Sequence, residues 1–331
     1  MKRIRLLAGC AIALALVVVL LGGWTRLNDA GLGCPDWPGC YGTMILPSDP
    51  QQLQLAQQAY PEVPLVPEKG WLEMIHRYAA ASLGLVILVL ALVALKRRGE
   101  QGYPLKLSLG LLLLVIVQGM FGMWTVTMKL LPQVVTLHLL GGLTTLALLI
   151  RLRQRLATGS DQGGRSGLRQ AVQVGFLLLF IQFALGGWTS SNYAGWACSH
   201  WLQCEAEEVV RPDFAAGFSL PELGEHSFEG GLLPREARAA IQIVHRLAAV
   251  VVVIYLLGIA LTALYKGLAR GPALVLIALV LLQSLLGIAN VIYALPLHLA
   301  VAHHGGAVLL LISLLWLYQR ISRHQGGEIH A

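Results

Sequence analysis

The sequence predicts an all-α integral membrane protein, with eight transmembrane helices arranged as two parallel four-helix-bundle repeats. Three observations support this fold class: the chain is strongly apolar, its apolar runs are long, and its motifs occur twice in the same order. Of its 331 residues, 56% are hydrophobic and only 12% are charged. An ordinary soluble domain carries about 25% charged residues, so the composition favours a membrane protein.

Eight apolar runs of 17 or more residues are the predicted spans, because about 20 helical residues cross a bilayer. They are Leu6–Gly23, Trp71–Leu95, Leu107–Thr125, Val134–Ile150, Ala171–Trp188, Ala239–Tyr265, Pro272–Tyr293 and Leu297–Tyr318. The first run has the basic start of a signal peptide, but no small-residue cleavage site follows it. We therefore expect the first helix to be retained.

The basic residues predict the orientation of these helices. With eight spans, most of the Lys and Arg residues fall on one side of the membrane: Lys2, Arg3, Arg5, Lys96, Arg97, Arg98, Lys106, Arg151, Arg153, Arg155, Arg165, Arg169, Lys266, Arg270, Arg320 and Arg323. By the positive-inside rule this side is the cytoplasm, so both termini are expected there. The net charge of +7 then reflects topology, and no basic patch indicates a nucleic-acid partner.

A nineteen-residue segment occurs twice and reveals the repeat. GGWTRLNDAGLGCPDWPGC (Gly22–Cys40) and GGWTSSNYAGWACSHWLQC (Gly186–Cys204) are identical at ten of nineteen positions. EMIHRYAA pairs with QIVHRLAA, QGMFG with QSLLG, and HLLGG with HHGG, at offsets between 164 and 169. Each copy holds four spans, and an even number gives both copies the same sense across the membrane. We predict an N-terminal repeat at 1–155 and a C-terminal repeat at 156–331.

Two long loops, roughly Thr25–Gly70 and Thr189–Arg238, are expected on the outer side. Each contains a cysteine pair spaced by six residues, Cys34/Cys40 and Cys198/Cys204. The outer side of a bacterial inner membrane is oxidising, so two structural disulfides are the first interpretation. Free thiols and a reactive thiol pair that shuttles electrons are the alternatives. Metal binding is disfavoured, because neither pair has the spacing of a metal site.

Four histidines lie near the outer ends of spans two, four, six and eight: His76, His138, His245 and His303. At 1.5 Å rise per residue each lies roughly 8–10 Å below the outer surface. Ionisable residues inside a membrane need a reason, and two facing imidazoles suit the axial positions of a haem iron. The alternative is a helix-packing hydrogen bond. Gly141–Gly142 and Gly305–Gly306 would let a flat macrocycle lie close to the backbone.

Glu73 makes the two repeats unequal. It lies three residues before His76 on nearly the same helix face, and its counterpart in the second repeat is Gln242. A carboxylate beside one pocket and an amide beside the other suggest one reactive site and one electron-carrying site. A Glu-x-x-His pair also occurs in di-iron bundles, but those need further carboxylates. Arg77 follows His76 and could neutralise a haem propionate or extend to the membrane surface.

At these residues the chain resembles the haem A synthase family, in its bacterial form with cysteines in the outer loops. The motifs are TRLNDAGLGCPDWPGCYG (Thr25–Gly42), EMIHR, VVTLHLLGG, VHR and AVAHHGG, and the resemblance covers the whole chain. It implies an oxidoreductase that converts haem O to haem A, the cofactor of cytochrome oxidases, by oxidising a ring methyl to a formyl group. It also implies a multi-pass inner-membrane protein, with a haem O synthase and an electron acceptor as partners. Homo-oligomerisation stays open.

The resemblance further implies a role for each site residue. The substrate haem would lie between His76 and His138, and a haem b cofactor between His245 and His303. Glu73 matches the functionally important acidic position of the family, and the outer-loop cysteines match its disulfide pairs. Because HHGG has histidines at both 303 and 304, the last ligand is ambiguous by one residue. The 165-residue offset from Gln118 to Gln283 favours His303 over His304.

Three other functions are alternatives to a haem A synthase. A two-haem cytochrome b that only passes electrons would use the four histidines and has no need of Glu73. A membrane thiol–disulfide oxidoreductase would use Cys34 and Cys40, with the histidines merely packing. A transporter is the third rival, but the spans lack the interrupted helix pairs expected near mid-membrane.

Overall fold

The computed structural model describes residues 1–158, 167–198, 204, 211–224 and 226–327, and of residues 323–327 it describes the backbone alone. These ranges contain ten α-helices: α1 Lys2–Leu27, α2 Pro50–Ala59, α3 Pro67–Lys96, α4 Leu105–Thr127, α5 Pro132–Thr158, α6 Gly167–Ser191, α7 Phe214–Gly217, α8 Arg235–Tyr265, α9 Arg270–Ile292 and α10 Leu297–Gly327. All but α2 and α7 include a stretch long and apolar enough to cross a membrane, which makes eight candidate spans in the described ranges. The predicted all-α membrane fold is confirmed.

The helices extend beyond the apolar runs that predicted them. The second span, expected at Trp71–Leu95, lies within α3, which has 30 residues and starts at Pro67. A proline suits the first turn of a helix because its fixed φ is helical and its missing N–H needs no partner there. A helix of this length spans about 45 Å, which exceeds the roughly 30 Å hydrocarbon core. Hydropathy therefore identifies the membrane-buried part of each helix and misses its polar ends.

The first compact unit comprises Met1–Gly159 and Pro221–Gly230. Within it α1, α3, α4 and α5 form a four-helix bundle in which α1 contacts α3 and α5, and α4 contacts the same two helices. Its interior is apolar and includes Met74, Ile87, Leu111 and Leu146, each less than 2% exposed. Leucines such as Leu113, 65% exposed, cover the outside of the bundle, as expected of a surface that faces lipid.

The second compact unit comprises Ser160–Leu220 and Gly231–Ala331. Within it α6 contacts α8 and α10, and α9 contacts the same two helices, so the bundle closes in the same order. The predicted boundary between residues 155 and 156 falls in the last turn of α5, which continues to Thr158. Duplication of one ancestral unit stays a prediction from the motifs.

At one end of each bundle, a turn between two helices packs against the long loop of the same unit. The turns that precede α5 and α10 each contain a leucine with left-handed backbone, Leu130 at φ 65° and Leu295 at φ 59°. Each leucine packs against a loop glycine of the same unit. A Cβ atom added to Gly31 would lie 3.0 Å from Leu130, and one added to Gly195 would lie 3.0 Å from Leu295. These close approaches hold the start of each loop on the bundle beneath it.

Part of the second long loop also belongs to the first unit. The segment Pro221–Gly230 packs on the α4–α5 turn, where Phe228 is 3% exposed in a cluster with Leu130, Leu131 and Val134. The backbone N–H of Phe228 donates to the carbonyl of Lys129 at 2.9 Å, and Gln133 Nε2 donates to the carbonyl of Pro221 at 3.1 Å. Residues from both long loops therefore cover the first bundle.

Candidate functional site

His76 of α3 and His138 of α5 meet inside the first bundle. Their ring centroids are 6.5 Å apart and the ring planes are nearly perpendicular, at 89°. In both rings Nδ1 is buried and has no hydrogen-bond partner among the described residues. Buried polar atoms are normally paired, so an unpaired one needs an explanation. An iron held by a nitrogen of each imidazole would account for these unpaired atoms.

Each of the four predicted histidines has its Cε1 edge against a glycine of a neighbouring helix. A Cβ added to these glycines would approach the imidazole Cε1 to between 3.0 and 3.6 Å. The pairs are Gly22 with His76, Gly122 with His138, Gly186 with His245, and Gly287 with His303. At Gly22 and Gly287 the added Cβ would press on the ring, whereas at Gly122 and Gly186 it would make an ordinary contact. These glycines lie in the repeated motifs GGWT, QGMFG and QSLLG, and this recurrence was the signal that would have identified them.

Gly141 and Gly306, which we expected to admit a macrocycle, accommodate glutamine side chains instead. A Cβ at Gly141 would overlap Gln118, and one at Gly306 would overlap Gln283. Gln283 Nε2 donates to the backbone carbonyl of His303 at 2.9 Å. In each bundle a glutamine side chain lies against the glycine three residues after the histidine. His303 therefore has the position in the second bundle that His138 has in the first. Nδ1 of His303 is likewise buried and unpaired among the described residues.

The two pockets also differ in the side chain beside their first histidine. Gln182 of α6 places Nε2 3.1 Å from Nδ1 of His245 and 3.1 Å from its backbone carbonyl. At the 164-residue offset the first repeat has Val18. The two pockets therefore differ beside their first histidine as well as at Glu73.

Glu73 is buried in the first unit, at 5% exposure. Its Oε1 pairs with Nη2 of Arg77 one turn later, and its Oε2 accepts the backbone N–H of Cys34 at 2.9 Å. Gln242, equally buried, instead donates Nε2 to the carbonyl of Gly195 at 2.9 Å. A carboxylate can stay ionised in a buried site only with such partners. The first unit thus contains a buried acidic group where the second contains a neutral amide.

Both cysteine pairs form disulfides, Cys34–Cys40 and Cys198–Cys204, with Cα–Cα distances of 4.8 and 4.3 Å. The predicted pairings are therefore confirmed. Cys34 and Cys40 are 0% exposed, in a cluster with Tyr41, Leu46, Ala56 and Met74. Because reactive thiols occupy partly exposed sites, this burial favours a structural role over thiol–disulfide exchange.

Tyr41 shows how closely the first loop packs on α3. Burial raises the pKa of its hydroxyl, and the Asp36 and Glu73 carboxylates raise this pKa further. The hydroxyl therefore stays protonated at neutral pH and donates to the carbonyl of Pro64 at 3.3 Å. The hydrogen bond from the Cys34 N–H to Glu73 places this carboxylate at the interface between loop and helix.

We expect all four bridged cysteines to resist alkylation in the intact protein. Each disulfide closes a short loop and should contribute roughly 2–3 kcal/mol on the chain-entropy model. The measurement is mass spectrometry of protein alkylated before and after reduction, with free Cys10 as the internal control. Labelling of Cys34, Cys40, Cys198 or Cys204 before reduction would contradict the pairing.

Among the residues that the structure describes, no group of three or more His, Cys, Asp or Glu side chains could hold a metal ion. A di-iron or zinc centre needs such a group. Haem iron needs only axial ligands from the protein, and each bundle supplies one pair of imidazoles. The histidine pairs of the described residues therefore suit haem iron.

Comparison with known proteins agrees with this chemistry. Residues 5–315 match the family described as cytochrome oxidase assembly protein. The haem A synthase of Shewanella oneidensis is 45% identical over 304 residues, which cover 90% of this chain and 91% of that protein. The haem A synthase of Mesorhizobium japonicum is 31% identical over 320 residues, covering 89% and 84%, and that of Rhizobium rhizogenes is 29% identical over 333 residues, covering 93% and 87%.

The family match at residues 5–315 extends over both bundles. These matches exclude the cytochrome, thiol oxidoreductase and transporter readings as descriptions of the whole chain, because each relative is named for the synthesis of a haem. The chain is thus a multi-pass membrane enzyme that belongs to the haem A synthase family of cytochrome oxidase assembly proteins.

Proposed function

We propose that this enzyme is an oxidoreductase that converts a ring methyl of haem O to the formyl group of haem A. The observation that carries the proposal is one chemical difference between the two bundles. Both contain a histidine pair against glycines, but only the first has a buried carboxylate, Glu73, one turn from its first histidine. Substrate chemistry is therefore assigned to the first bundle and electron transfer to the second.

In the first bundle, His76 and His138 hold the iron of the substrate, haem O. Their buried, unpaired Nδ1 atoms and the 6.5 Å ring separation support this role. Conversion of a methyl to a formyl group with oxygen from water releases four electrons and four protons. Glu73 accepts a proton from the methyl group or from the attacking water, as a general base positioned beside the reacting atoms.

In the second bundle, His245 and His303 hold a haem b cofactor. The glycine contacts of both rings and the unpaired Nδ1 of His303 support this assignment. A haem b held there would supply one-electron chemistry for the oxidation of haem O. Gln283 holds the backbone at His303, and Gln182 contacts the ring of His245, so both ligands are oriented by neighbouring side chains. A haem O synthase as the source of substrate and a final electron acceptor complete the proposal.

Expression in cells that make haem O but lack a haem A synthase tests the proposal. Extracted haems, separated by reversed-phase chromatography, should include haem A when the wild-type chain is present. His76→Ala is the matched control: it should abolish haem A while the C-terminal haem b spectrum persists. Haem O as the sole product with wild-type enzyme would refute the proposal and favour an electron-carrying cytochrome b.

We further propose that the protein lies in a bacterial inner membrane, with both termini in the cytoplasm and the long loops outside. The basic residues near the ends of α3 and α5 support this orientation, and an oxidising outer side suits both disulfides. Alkaline phosphatase, which folds only outside the cytoplasm, should be active when fused after Leu220 and inactive when fused after Thr158. The reverse pattern would invert the orientation.

A further inference from the structure

Arg77 joins the candidate carboxylate to the outer loop. Its Nη2 pairs with Glu73 Oε1, while its Nη1 donates to three loop carbonyls: Asp36 at 3.1 Å, Pro38 at 3.3 Å, and Gly39. Its side chain is 13% exposed and that of Glu73 is 6% exposed. We propose that Arg77 is a positioning residue that fixes the Glu73 carboxylate against the Cys34–Cys40 loop, so that the disulfide sets where this carboxylate lies. The inference rests on the proposed proton-transfer role of Glu73.

The contacts form a closed ring through the disulfide. Glu73 Oε2 accepts the N–H of Cys34 at 2.9 Å, and Arg77 binds carbonyls of the residues between Cys34 and Cys40. The seven-residue loop therefore supplies the donor to one carboxylate oxygen and the acceptors for the arginine that holds the other. Arginine presents several N–H donors in a planar fork, so it can bind the carboxylate and the loop carbonyls at the same time.

The Cys34–Cys40 loop is held in place by hydrogen bonds within it and by contact with α3. Asp36 accepts the backbone N–H groups of Tyr41 at 2.7 Å and Gly42 at 2.8 Å. A Cβ added to Gly33 would lie 2.6 Å from the backbone of Lys69, so the chain just before Cys34 touches the first turn of α3. The loop is thus fixed both internally and on the helix that carries Glu73.

The second unit lacks this carboxylate link. Gln242 is a neutral amide, and its hydrogen bond among the described residues is donated to the carbonyl of Gly195, which precedes the Cys198–Cys204 loop. If the second loop only covers its bundle, its disulfide should be independent of Arg77. This difference provides a control within the same chain.

A double-mutant cycle tests the proposal. Arg77→Gln, and separately Cys34→Ser with Cys40→Ser, should each lower kcat for haem O oxidation roughly 10- to 100-fold, the range for a misplaced catalytic group. KM for haem O should change little, because His76 and His138 still bind the iron. The combined variant should be no more than about twofold slower than the slower single variant, because residues acting through one network are not additive.

The control is the variant that combines Cys198→Ser with Cys204→Ser. Its effect on kcat should be independent of Arg77→Gln, so the two fold-changes should multiply in the combined variant. If the effect of Arg77→Gln on kcat also multiplied with that of the Cys34→Ser, Cys40→Ser variant, the positioning role would be overturned. A wild-type kcat in Arg77→Gln would overturn it too. Wild-type enzyme that makes no haem A would instead overturn the proposed function. Arg77→Lys keeps the charge without the fork and should show an intermediate kcat.

Hydrogen exchange supplies a readout that does not depend on activity. In Arg77→Gln the peptide that contains Cys34 should exchange faster than in wild type, while the peptide around Cys198 should not change. Retained haem b absorbance would show that the variant is folded. Unchanged protection at Cys34 in a folded variant would show that Arg77 does not hold the loop, and would also overturn the proposal.

Discussion

Replacement of Glu73 by glutamine is expected to lower the rate of haem A formation by a factor of about 10²–10⁴, the usual range for a lost general acid or base. Glutamine is nearly isosteric with glutamate, and the equivalent position of the second unit already contains the buried Gln242. The variant should therefore fold and keep its haem b spectrum. The loss should be confined to chemistry.

The haems that accumulate should identify the blocked step. Glu73→Gln should leave haem O, or a partly oxidised hydroxymethyl haem, in place of haem A. Glu73→Asp keeps the charge but withdraws it by one methylene from Arg77 and Cys34, so its rate should be intermediate. The measurement is reversed-phase separation of haems extracted from cells that express each variant.

Glu68→Gln is the matched control, because it removes the same charge from an exposed position in the first turn of the same helix. Its rate should equal that of wild type. If Glu73→Gln also forms haem A at the wild-type rate, the carboxylate has no chemical role. Its contacts with Arg77 and Cys34 would then only fasten the loop to α3.

The sequence was most informative about residue types whose presence costs free energy in their surroundings. Histidines inside apolar helices and cysteines in long loops stand out against 56% hydrophobic composition, and the expected cysteine pairs form disulfides. Apolar runs predicted the number of membrane helices for the same reason, since lipid permits few alternatives to a helix. These features depend on local composition and can be read without knowing what lies nearby in space.

Contacts made by backbone atoms could not be predicted from the sequence. Arg77 was expected to meet a propionate or the membrane surface, but its described partners include the carbonyls of Asp36, Pro38 and Gly39. Any residue has a carbonyl, so no pattern marks these acceptors. The glycines against the imidazoles were missed because a small residue in an apolar helix indicates close packing without naming its partner. The segment Pro221–Gly230 lies far along the chain from the first bundle, and a division into sequence halves does not assign it there.

Loss of either second-bundle ligand is expected to remove the haem b signal entirely. His245→Ala and His303→Ala should each abolish the low-spin b-type absorbance of purified enzyme, because an alanine leaves the iron with one axial imidazole at most. His304→Ala should keep this spectrum largely intact. The structural reason is that His303, against Gly287, occupies the place that His138 occupies against Gly122.

His303 and His304 are adjacent in α10, so the experiment must distinguish a lost ligand from a disturbed helix. Absorbance and electron paramagnetic resonance of each purified variant report the axial ligands directly, and the intact Cys198–Cys204 disulfide reports the fold of the same unit. His303→Ala supplemented with imidazole should recover part of the low-spin signal, because free imidazole can enter the space left by the side chain. A normal spectrum in His303→Ala together with its loss in His304→Ala would move the ligand by one position, and with it the match between His138 and the second bundle.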